Sequence, residues 1–79
     1  MSNQKYQVGP FDYSRLKGRT AEQGYTDKDV ANAGNMTPST YSLKLNGKGV
    51  FTQDQIYKIC VFLNIEFVKI PAYFFTLKV

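Results

Sequence analysis

The sequence predicts an all-α domain built from four to five short helices. Three observations carry that expectation. Threonines with helix-start character recur at Thr26, Thr37 and Thr52, each ahead of an apolar-periodic stretch. Glycine or asparagine stands where those stretches end, at Gly24, Gly34-Asn35, Asn46-Gly47 and Asn64. Ile56, Ile59, Cys60 and Leu63 follow the i, i+3, i+4, i+7 rhythm of a helix that buries one face.

The first helix is expected over residues 13–23, with Asp12 or Ser14 as its cap and Gly24 as its stop. Tyr13, Leu16 and Thr20 share a face. Gly18 inside this helix costs about 1 kcal/mol relative to alanine and suggests the close approach of another helix. Thr26 caps a second helix over 27–33, whose Asp27 and Asp29 suit the positive end of its dipole. Gly34-Asn35 breaks it, since asparagine tolerates a left-handed turn. Thr37 caps a third helix, and Pro38 takes the first helical position, where a missing N–H is harmless. That helix runs over 37–45. Thr52, with Gln55 as its capping-box partner, starts a fourth, which Asn64 ends.

The tail, 65–79, has two local solutions. Ile65 and Phe67 alternate with Glu66 and Val68, which favours an extended piece, while Pro71 can open a helical turn through Phe74. It is too apolar to hang free, so it packs on the core or on a second molecule. Residues 1–10 are polar and aperiodic and read as a flexible arm, which leaves 11–79 as one domain.

Composition narrows the function. The 79 residues include no histidine and one cysteine, Cys60, so the commonest general base and metal ligand is missing and no intrachain disulfide can form. No nucleophile–base pair and no phosphate-cradling glycine motif stands out. The expectation is a non-enzyme without cofactor or metal. No apolar run reaches the roughly 18 residues of a membrane span, and "MSNQKYQVGP" lacks the apolar segment of a secretory signal. A net charge of +4 mildly favours an anionic partner.

The second and third helices, separated by a tight turn, describe a helix-turn-helix. Ala31 must be small where the third helix crosses it, Asn35 supplies the positive-φ turn, and Tyr41 points back into the core. "FDYSRLKGR", "DKDVANAGNMTPSTYSLKLNGK" and "PAYFFTLKV" resemble the small Cro/repressor-type helix-turn-helix proteins of phages and prophages of Gram-positive bacteria, over residues 11–79. The resemblance implies a helical domain that binds operator DNA, often as a dimer, in the cytoplasm of a bacterial host. Some relatives instead act as modulators that bind the phage's main repressor. Most relatives carry a large apolar residue where this chain has Gly34, a loss worth about 2–4 kcal/mol unless a neighbour fills the gap.

The first functional expectation is therefore a regulator that binds double-stranded operator DNA through helix 37–45. Pro38, Ser39, Thr40, Ser42 and Leu43 would face base edges. Thr26, Asp27, Lys28, Lys44, Asn46 and Lys48 would meet phosphates. Arg15, Lys17 and Arg19 are placed on a solvated face or beside the DNA backbone, and Tyr57 and Phe62 in the packing. A homodimer would form through 65–79. The alternative is an antirepressor or modulator that keeps the fold and binds the main repressor protein, motivated by the weak base-reading pair Pro38-Ser39 and by Leu43.

Overall fold

The computed structural model describes residues 10–78. Apart from Pro10, the expected N-terminal arm lies outside the described residues. The elements run α1 (Ser14–Glu22), α2 (Asp27–Ala33), α3 (Pro38–Leu45), α4 (Gln53–Leu63), a 3-10 turn (Phe67–Lys69) and α5 (Ile70–Phe74). The fold is all-α, with no strand among the described residues. One isolated antiparallel bridge, Phe11 to Leu77, ties the start of the domain to its tail.

One closing device ends each of the first four helices. At the end of α1, the Gly24 N–H donates to the Ala21 carbonyl and the Tyr25 N–H to the Thr20 carbonyl. Asn35 and Met36 close α2 in the same way onto Asn32 and Ala31. Gly47 and Lys48 close α3 onto Lys44 and Leu43, and Asn64 and Ile65 close α4 onto Val61 and Cys60. This is the Schellman pattern, which needs one residue with positive φ. Gly24, Asn35, Gly47 and Asn64 supply it, at 81°, 61°, 80° and 57°.

The starts are equally local. Thr26 and Asp29 form a reciprocal capping box on α2, and Thr52 and Gln55 form another on α4. Thr37 accepts the Thr40 N–H ahead of Pro38. At α1 the cap position is Tyr13. Asp12 sits one residue earlier and accepts both the Ser14 N–H and the Ser14 hydroxyl.

Four aromatic rings fill the centre. Phe51 meets Tyr13, Phe74 and Tyr41 at centroid distances of 5.4, 5.5 and 5.8 Å, the edge-on and tilted geometries that ring quadrupoles favour. Leu16, Val30, Ala31, Ile59, Cys60 and Leu63 are fully buried around them. Phe51 lies in a loop, where no helical rhythm marked it as core.

The tail resolves in favour of the helical turn. Where an extended piece was one expectation, Phe67–Lys69 form a 3-10 turn that leads into α5, with Pro71 in its first turn. Burial decides this: the turn carries Phe74 to 1% exposure, and Ile65 is buried ahead of it. The Asp12 N–H donates to the Thr76 carbonyl and the Lys78 N–H to the Pro10 carbonyl, clamping the tail to the chain start.

Three positions depart from expectation. A Cβ on Gly18 would meet nothing within 4 Å, so no helix approaches there. Gly18→Ala is therefore expected to stabilise the domain by about 0.5–1 kcal/mol, read as a raised urea midpoint; a lowered midpoint would mean a hidden contact. Gly34 has an ordinary backbone, but a Cβ there would come within 2.6 Å of the Met36 methyl. Met36, from the following turn, and Ile59 fill the space that a side chain at position 34 would need. Arg19 is no solvated cation. Its Nε and Nη2 donate to the Leu63 and Asn64 carbonyls, and Nη1 pairs with Glu22 at 3.1 Å. A guanidinium thus satisfies the negative end of α4 and ties α1 to it.

The Tyr41 hydroxyl is buried without a hydrogen-bond partner. Its neighbour Thr20 donates its own hydrogen to the Leu16 carbonyl, and the Thr20 oxygen, which could accept from the phenol, falls short of a well-formed hydrogen bond to it. Burial, with the Asp27 carboxylate nearby, pushes the Tyr41 phenol well above its ordinary pKa. Removing an orphaned hydroxyl while keeping the ring is nearly free. Tyr41→Phe is expected to leave stability unchanged or raised by up to about 1 kcal/mol. A clear loss in chemical denaturation would reveal a partner for the oxygen.

Candidate functional site

Two surfaces qualify. The first is the outer face of α2 and α3. Tyr41 and Leu45 point inward, at 1% and 9% exposure. Helical geometry then sends the intervening residues outward. Pro38, Ser39, Thr40, Ser42 and Leu43 are all exposed, Leu43 by 49%, so the structure brings the five expected base-facing residues to one solvent-facing helix. Thr37 donates its hydroxyl to the Thr40 oxygen, which leaves the Thr40 hydrogen free to be offered outward.

The expected phosphate-facing residues divide. Thr26, Asp27 and Lys28 stand exposed at the start of α2. There the Asp29 carboxylate accepts the Thr26 N–H and hydroxyl, and the Thr26 oxygen accepts the Asp29 N–H. Those bonds hold the Asp29 carboxyl below the usual range, the backbone N–H foremost. Asp27 and Asp29 therefore set two negative charges where a phosphate would approach. Lys44 is not turned outward: its Nζ donates to the Val50 carbonyl, because its long stem reaches back over the α3–α4 loop. Asn46 Nδ2 donates to the Ser42 carbonyl and closes α3. Lys48 is exposed on the turn. The face is thus rich in hydroxyls, holds one half-exposed leucine and mixes charges of both signs.

The second surface was not legible in the sequence. A groove of about 530 Å³ runs between α4 and the tail, lined by Phe51, Ile56, Tyr57, Phe67, Ile70 and Phe75 with Gln53 at its edge. Tyr57, expected in the packing, is 54% exposed and meets the Phe67 ring at a centroid distance of 5.5 Å, the two planes tilted by 39°. The physical reason is its position one residue past Ile56, just outside the buried stripe. Phe62 does pack, against Tyr25 at 4.3 Å. Tyr57 and Val61, four residues apart on the outer side of an amphipathic helix, mark an exposed apolar strip on α4 in the sequence, but not the hollow that the tail forms beside it.

Nothing among the described residues groups three or more metal-ligating side chains. Cys60 is buried, and burial pushes its thiol pKa up, which disfavours the reactive thiolate. No helix among the described residues is long and apolar enough to cross a membrane.

A family described as "Protein of unknown function (DUF739)" matches residues 10–77. No curated protein matches the chain. Among solved structures, the chain is similar to the modulator of repression (MOR) of the temperate bacteriophage TP901-1 from Lactococcus lactis, determined in solution. The two share 38% identity over 89% of this chain and 95% of that one, with a TM-score of 0.71. The likeness to a small helical phage protein, expected from the sequence blocks, is thereby met.

Proposed function

We propose that this chain, which belongs to the DUF739 family, modulates phage repression by binding a repressor protein. The observation that carries this reading is the 38% identity, over nearly the whole of both chains, with a protein described as a modulator of repression. Of the two functions the sequence left open, that neighbour favours the second over direct operator binding. The α2–α3 face supports the same choice. Its carboxylates Asp27 and Asp29 oppose a phosphate, and the side chains of Lys44 and Asn46 are engaged within the chain. Half-exposed Leu43 offers the apolar contact that a protein partner rewards. In this reading the protein is not an enzyme, needs no cofactor and acts in the cytoplasm of the phage's host.

Operator binding through α3 remains the rival, because Ser39, Thr40, Ser42 and Leu43 do stand together in solvent. One experiment separates the two. A phage repressor protein is titrated with the purified protein, and duplex DNA from the region upstream of the gene is titrated in parallel, each at about 50 and 200 mM salt. The modulator reading expects a repressor complex that barely responds to salt and that Leu43→Asp weakens by about ten-fold or more. Tight, sequence-selective DNA binding that falls steeply with salt, with no repressor complex, would overturn it.

A further inference from the structure

We draw no further inference here: the strongest candidate, the apolar groove between α4 and the tail lined by Tyr57, Phe67 and Phe75, carries nothing because nothing in the structure shows what covers it.

Discussion

Phe74→Ala is expected to cost about 3–5 kcal/mol, the range for removing a buried ring. A chain of this length has only about 4–12 kcal/mol to lose. The variant should therefore populate unfolded molecules at room temperature and show a much lower urea midpoint by circular dichroism. The size of the effect follows from what one side chain joins. Phe74 is 1% exposed and lies 5.5 Å from Phe51 and 6.4 Å from Tyr13, both edge-on. It sits on α5, a helix of five residues that no propensity could hold alone. Losing the ring releases the tail from the core and opens the groove wall that Ile70 and Phe75 supply. Near-ultraviolet signals from Tyr13 and Tyr41 should fade with it. A cost below about 1 kcal/mol would mean that the tail is held by its backbone clamp at Asp12 and Pro10 and not by this ring.

The contrast between α2 and the tail shows which parts of such a fold can be read from residue order. The bounds of α2 follow from neighbours: Thr26 and Asp29 satisfy each other's N–H groups, and Asn35 turns the chain three residues beyond Asn32. Every partner lies within five residues, so a local reading suffices. The same holds for α3 and α4. The tail differs because its local signals were balanced, with alternation at 65–68 against Pro71. Burial of Phe74 against α1 and the Phe51 loop broke the tie, and that contact spans some sixty residues of chain. Arg19 was misread for the same reason, since its acceptors at Leu63 and Asn64 lie more than forty residues away. For the candidate surfaces the division is similar. The outward register of Ser39, Thr40 and Leu43 followed from Tyr41 and Leu45 on the same helix. The groove needed the tail's position and stayed invisible.

Ala31→Leu is expected to be the most disruptive change on the α2–α3 pair. Ala31 is fully buried, and its carbonyl accepts the Met36 N–H that closes the turn into α3. Close packing leaves no room for the added carbons unless α3 moves away from α2, at a cost of about 1–3 kcal/mol. For a domain of this size that lowers the melting temperature by roughly 5–20 °C. The functional consequence separates shape from chemistry. Moving α3 displaces Ser39, Thr40 and Leu43 together, so repressor binding should fall along with stability. Leu43→Asp, on the exposed side of the same helix, should lose binding while its melting temperature holds. If Ala31→Leu melts like the wild type, the helix pair has slack at the crossing, and a helix-turn-helix register that needs a small residue at 31 is wrong. If it melts early but binds normally, the α2–α3 face is not where the repressor docks, and the search moves to the groove beside α4.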